Sequence, residues 1–196
     1  MWWAQLLNTI TAILDAGAGG GGGSFESIAT VTGNGSASTL TFSSIPSTYT
    51  SLQIRAIGRD TNGGTAAGNF LMRFNSDTGA NYSRHSLRGT GAAVAAGGAA
   101  SATNINLNSF AWFSGTAANT FGAAIVDIHD YASTTNNKTV RGLLGVNDNA
   151  VSGNELITLA SAAWYNTSAV TTITLVSDGT AFATGTVFSL YGIKGA

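Results

Sequence analysis

The chain contains no cysteine, so disulfide frameworks and cysteine-based zinc sites are excluded. Charge is scarce as well: 9% of the residues are Asp, Glu, Lys or Arg, against about 25% in an average globular protein. Eight Lys and Arg face nine Asp and Glu, for a formal net charge of −1. Such a balance argues against a nucleic-acid interface, which needs a basic face to neutralise phosphates. It argues equally against a polybasic membrane binder. A single proline occurs. A membrane-spanning helix needs about 20 consecutive apolar residues, and the apolar N-terminal stretch Met1–Asp15 is too short.

What is present is glycine, 26 residues of it, and a hydrophobic content of 44% over 196 residues. That is enough for a substantial core and does not suit a disordered chain. Ser, Thr and Asn supply the polarity that charges normally would. Surfaces made soluble by neutral hydroxyls and amides are common in secreted adhesins and virus particle proteins. The composition therefore speaks for a structural or binding protein before an enzyme.

The chain divides at Ala16–Ser24, a run of Gly and Ala ending in Ser. A run without side chains to pack reads as a flexible tether, spanning about 16 Å root-mean-square. It separates residues 1–15 from residues 25–196. In the short part Trp3, Leu6, Ile10 and Ile13 recur at helical spacing, and Leu7 and Leu14 widen the stripe; this spacing predicts an amphipathic helix. A signal peptide would want a basic leading region, which is absent. The polar face carries no Lys or Arg, against an interfacial membrane helix. The reading that remains is a docking helix that self-associates or plugs into a partner through Trp2, Trp3, Leu6, Leu7, Ile10 and Ile13.

The long part is all-β by pattern. Expected strands are Thr39–Phe42, Leu52–Ala56, Phe70–Phe74, Asn104–Trp112, Phe121–His129, Thr139–Val146, Leu156–Trp164, Val170–Val176 and Val187–Ile193. Turn-forming clusters such as Thr32–Gly35, Arg59–Gly64, Asn75–Gly79 and Ser177–Gly179 separate them. Nine to eleven short strands predict an antiparallel β-sandwich of jelly-roll-like topology, preceded by the short helix and its tether. Gly89–Ala102 reads equally as a long loop or a close-packed strand.

Asp127, His129 and Asp130 form the most enzyme-like cluster. On a strand Asp127 and His129 share a face and are suited to hold a metal or relay a proton, with His85 as the second histidine. No nucleophile or further carboxylate is identified by spacing. The plainer reading has Asp127 paired with an arginine on a neighbouring strand and Asp130 opening a turn. Polyglycine without a preceding strand or a Lys-Ser/Thr ending is no phosphate loop. Asn75–Gly79 has alternate oxygen ligands but lacks the distant Glu of a calcium loop. Arg55, Arg59, Arg73, Arg84 and Arg88 suggest a bidentate Arg–Asp network, inside the sandwich or between subunits. The aromatics Trp112, Phe113, Tyr131, Trp164 and Tyr165 suit stacking on sugar rings, or else anchor a core or interface. Nothing in the residues implies a cofactor, and no metal site is assigned.

Several runs carry a resemblance. They are Phe25–Val31, Leu40–Pro46, Tyr49–Arg55, Phe74–Tyr82, His85–Gly89, Asn137–Arg141 and Phe188–Gly195. Together they resemble small structural virion proteins, of tail or fibre type, in tailed bacteriophages, especially cyanophages and other aquatic phages. The resemblance covers Phe25 to Ala196 and brings no catalytic motif. It implies a non-enzymatic structural protein on the particle surface, assembled in the host cytoplasm. A tail-fibre, baseplate or tail-tip position displaying a β-sandwich head to the host surface is the first expectation. A capsid decoration or head-fibre position is the alternative, and a glycan-processing enzyme using Asp127, His129 and Asp130 a more distant one. The expected partners are other copies of the chain in a homotrimer, other virion proteins bound through the N-terminal helix, and a host-surface glycan.

Overall fold

The computed structural model describes residues 23–64, 66–113, 115, 118–147 and 155–195. The expected helix over 1–15 and nearly all of the tether lie outside these residues. The described chain forms twelve strands: β1 Phe25–Thr32, β2 Thr39–Phe42, β3 Ser51–Asp60, β4 Ala67–Phe74, β5 Tyr82–Gly89, β6 Val94–Ala102, β7 Ile105–Phe113, β8 Gly122–His129, β9 Lys138–Val146, β10 Leu156–Trp164, β11 Ile173–Val176 and β12 Val187–Ile193. Gly89–Ala102 thus closes as a hairpin. Thr90 N–H bonds the Ala93 carbonyl (3.0 Å), Gly91 takes φ +82°, and β6 follows as an edge strand of small residues.

The strands form two layers. Eight of them run in the order β1-β12-β3-β8-β9-β10-β5-β6, every neighbour antiparallel. The other four run β2-β11-β4-β7, also antiparallel. The layers are joined where the end of β3 leaves the larger sheet and meets β7 in parallel, Arg59 opposite Trp112 and Asp60 opposite Phe113.

This order corrects the jelly-roll expectation. A jelly roll divides eight strands between two sheets through Greek-key crossovers. Here β8, β9 and β10 form a plain meander, and the β5–β6 hairpin adds to its free edge, so one sheet grows to eight strands. Alternation reveals which side of a strand is buried, but not which strand lies beside it. The all-β, antiparallel, two-layer character stands.

The inner faces meet in a dry core. Phe70, Met72, Phe74, Leu107 and Phe110 of the smaller layer pack on Leu52, Ile54, Val126, Ile128, Leu144, Trp164 and Phe188 of the larger. Ring pairs such as Phe70–Phe188 (5.9 Å between centroids, edge-on) and Phe74–Trp164 (5.6 Å) knit the layers. Where β8 begins, β7 runs so close that a Cβ on Gly122 would overlap the Phe110 carbonyl, a position only glycine fills. Lys138 is fully buried and donates from Nζ to the carbonyls of Ser133, Asn136 and Thr167 (2.6–3.0 Å), closing the β8–β9 loop. Burial holds its ammonium pKa below the ordinary value.

Candidate functional site

The site is assembled by the register of the larger sheet. Side chains directly opposite one another in an antiparallel ladder share a face, so its outward residues fall into cross-strand rows. One row reads Ser189, Arg55, Ile125, Leu143, Leu159, Leu87 and Ala96 on β12, β3, β8, β9, β10, β5 and β6. The next, two residues along, reads Val187, Ile57, Ala123, Gly145, Ile157, Gly89 and Val94. On the other side of the first lies a polar row of Tyr191, Gln53, Asp127, Arg141, Ser161, His85 and Gly98.

The large aliphatic side chains of the first two rows stand in solvent. Ile125 is 44% exposed, Leu143 51%, Leu159 54%, Leu87 51% and Ile157 62%. Beneath them the pattern is inverted. β10 turns Thr158, Ala160 and Ala162 inward and Ile157 and Leu159 outward. β5 sends Arg84 and Ser86 to the inner side, where Arg84 Nη1 donates to Asn108 Oδ1 (2.9 Å) and Asn108 Nδ2 donates to Ser86 Oγ (2.6 Å). Arg84, Ser86 and Asn108 thus satisfy one another inside, the buried Thr158 hydroxyl has no hydrogen-bond partner among the described residues, and Leu87, Leu159 and Ile157 face out. Between the ends of β8, β9 and β10 the outer face deepens into a groove of about 620 Å³ lined by Phe121, Ala123, Ile125, Leu143 and Ile157.

The polar row is tied to itself. Asp127 accepts from Gln53 Nε2 (2.8 Å) on one oxygen and from Arg141 Nη2 (3.3 Å) on the other. Arg55 donates to Gln53 Oε1 (2.9 Å) and lays its guanidinium over the rings of Phe25 (5.1 Å) and Tyr191 (5.7 Å).

Asp127 and His129 do share the outward face, but both Asp127 oxygens are engaged by neighbouring strands. Asp130 sits at φ +57° and its carbonyl accepts from Ser133 N–H (3.0 Å), so it opens a turn. Among the described residues no three of His, Asp and Glu converge as a metal site. Of the aromatics read either as sugar-stacking or as core or interface anchors, two lie in the core. Trp164 and Tyr131 are fully buried: Trp164 Nε1 donates to Asp77 Oδ2 (2.7 Å), and Tyr131 Oη donates to the Pro46 carbonyl (2.6 Å), with burial raising its pKa. Tyr165 is exposed and accepts from Ser83 Oγ (3.3 Å). Trp112 and Phe113 end β7, and their side chains lie outside the described residues. So do Trp2, Trp3, Leu6, Leu7, Ile10 and Ile13.

Asn75–Gly79 is a turn. Asp77 binds inward, to Trp164, to Asn81 Nδ2 (2.9 Å) and to Gly79 N–H (2.7 Å). Of the arginines expected in an Arg–Asp network, Arg59 Nη1 donates to the Thr120 carbonyl (2.7 Å) and Arg73 Nε to the Thr103 carbonyl (3.2 Å), while Arg84 and Arg55 make the contacts above. Among the described residues, Arg141 forms an ion pair on this face, with Asp127. The sequence reading did not single out Ile125, Leu143, Ile157, Leu159 or Leu87. Its available signal was Leu156-Ile157-Thr158-Leu159, with large aliphatics at both odd and even positions.

No family model matches the chain, and no curated protein does. Among solved structures, one from work on botulinum neurotoxin type C, whose cell entry is described as dependent on interaction with two ganglioside molecules, aligns at TM-score 0.21 and 10% identity over 76% of this chain. The binding domain of botulinum neurotoxin serotype D/C aligns at 0.20 and 12% over 76%. A protein of unknown function from Shewanella oneidensis MR-1 aligns at 0.24 and 9% over 89% of this chain and 77% of that one. The chain spans about a third of the two neurotoxin structures, 33% and 34%. Likenesses this weak carry no argument about function. No helix among the described residues is long and apolar enough to cross a membrane.

Proposed function

We propose that the protein is a non-enzymatic structural subunit of a tailed-bacteriophage virion, placed on a tail fibre, baseplate or tail tip. The observation behind this reading is the outer face of the larger sheet. Five Leu and Ile side chains, each at least 44% exposed, stand side by side on a rigid surface. A monomeric soluble protein seldom leaves such a patch uncovered, whereas a subunit of a permanent assembly has it covered by its neighbours. The sparse charge fits the same role, since few ions need desolvating when neutral surfaces close on each other. The phage assignment comes from the runs between Phe25 and Gly195 that resemble virion proteins.

Purified particles of a phage encoding this chain provide the test. Mass spectrometry should find the chain at stoichiometric level, and immunogold against it should decorate the tail. Gold on the capsid selects a decoration or head-fibre position instead. Absence from purified particles overturns the assignment.

A further inference from the structure

We propose that the outer face of the eight-stranded sheet is a contact between copies of this chain, a second copy packing over Ile125, Leu143, Leu159, Leu87 and Ile157. The inference deepens the structural-subunit reading by naming the partner and the surface, but its test needs no particle.

The size of the face suits this occupant. Six strands, β3 to β6 in spatial order, at about 4.8 Å spacing make it about 29 Å wide, and strands of eight residues make it about 27 Å long. The product is close to the roughly 800 Å² per partner of a standard specific interface. Its anatomy suits it too. The two apolar rows form a block with Ile57 and Val94 at its ends, and the row from Gln53 to His85 forms a polar margin beside it, matching the apolar core and polar rim of subunit contacts.

Charge then selects a like partner. Asp127 and Arg141 neutralise each other, and the Arg55 cation is held over two rings at the margin. A face that is nearly neutral and apolar at its centre meets no repulsion from its own copy. A partner chosen by charge would want a field of one sign, and this face has none. The inverted pattern adds a final reason. On β5 the polar side chains Arg84 and Ser86 are satisfied inside by Asn108, and on β10 the small Ala160 and Ala162 fill the inner side, so turning Leu87 and Leu159 outward is built into the inner packing. Face-to-face stacking of two such sheets is ordinary β-layer packing, about 10 Å between layers.

The full chain tests this directly. Sedimentation of the wild type should give an assembly, and Leu143→Asp with Leu159→Asp should sediment as a monomer with an unchanged circular dichroism spectrum and, at high dilution, an unchanged melt. Because the chain has no cysteine, Leu143→Cys introduces one labelling site. Its maleimide labelling should be slowed about tenfold or more relative to a Ser47→Cys variant, position 47 being exposed in the loop before β3. The protection should fade on dilution. A wild-type monomer overturns the proposal, and so does an assembly that survives the aspartates. Protection of the Leu143→Cys thiol that is independent of concentration and released by Leu6→Asp with Ile10→Asp also overturns it, because the cover is then the chain's own N-terminal segment. If the double aspartate variant does not fold, the labelling decides alone. A chain that self-associates in this way yet is missing from particles leaves the contact standing and removes only the virion assignment.

Discussion

Asp77 shows how one polar residue holds a turn to the core. Its carboxylate accepts from the indole N–H of the fully buried Trp164, from the Asn81 amide and from the Gly79 backbone. The Asn81 bond and then the Trp164 bond hold its pKa below the ordinary 3.8. A carboxyl whose folded pKa is depressed stabilises the fold above the unfolded value, and that contribution is lost as pH falls through the folded one. Asp77→Asn keeps an acceptor but removes the charge. At pH 7 it should lower stability by about 1–2 kcal/mol, the scale of a charge-assisted bond made neutral. The deficit should shrink as urea melts are repeated from pH 5 down to below the ordinary 3.8, because the unfolded chain there takes up a proton that the folded Asp77 resists. A deficit that does not change at any acid pH where the wild type still folds would show that the charge contributes nothing. The neighbouring Tyr82 phenol is pushed up to about 12 by burial, so it stays protonated throughout this range.

At the scale of the strand, neighbouring residues on β9 differ by a face. Leu144 is 2% exposed and lies in the core, while Leu143 is 51% exposed on the outer row. Leu144→Ala should cost about 2–5 kcal/mol, as buried leucines do, whereas Leu143→Ala, melted at high dilution, should stay within about 0.5 kcal/mol. Comparable losses at both positions would mean the register is wrong, since a one-residue slip exchanges them. The same two faces explain what the sequence made legible. Thr39–Phe42, Leu156–Trp164 and Val187–Ile193 were readable with their observed bounds, because β-branched and aromatic residues end there at turn residues. β5 was not, because Arg84, Ser86 and Arg88 alternate with His85 and Leu87 and give no clean apolar side. β6 is Gly, Ala and Ser with a single Val, and strand and loop share that composition. The aliphatic rows were hidden for a related reason. In the middle of β10, Ile157 and Leu159 point out while Ala160 and Ala162 point in, so the usual inference from size to burial selects the wrong face there. Asp127 was legible because a lone carboxylate on a strand beside an arginine-bearing strand has an evident partner. Trp164 and Tyr131 were ambiguous because an indole N–H or phenol O–H serves a ligand or a buried carbonyl equally well.

For the molecule as a whole, the two ends of the described chain meet in one ladder. β1 pairs with β12 from Phe25 opposite Ile193 to Thr32 opposite Val187, and β12 in turn lies on β3. The pairing closes just before β1, where Lys194 N–H bonds the Ser24 carbonyl (3.0 Å) and Lys194 Nζ pairs with Glu26. Glu26 also accepts from Tyr49 Oη (3.1 Å), and Ile28, Ala29 and Val31 pack against the core. The body therefore has its hydrogen-bond partners and its apolar cover from Ser24 onward, which is the condition for an independently folding unit. A chain starting at Ser24 should melt cooperatively with β-type circular dichroism, at a midpoint close to that of the full chain under dilute conditions. A chain starting at Gly33 loses β1, leaves the outer edge of β12 unpaired, and uncovers the core that those three apolar side chains protect. Its midpoint should fall well below the first, and the bared β12 edge should make it prone to aggregate. If the Ser24 truncation unfolds or precipitates while the full chain does not, residues before Ser24 contribute to the core, and the division between residues 1–15 and the β body is wrong.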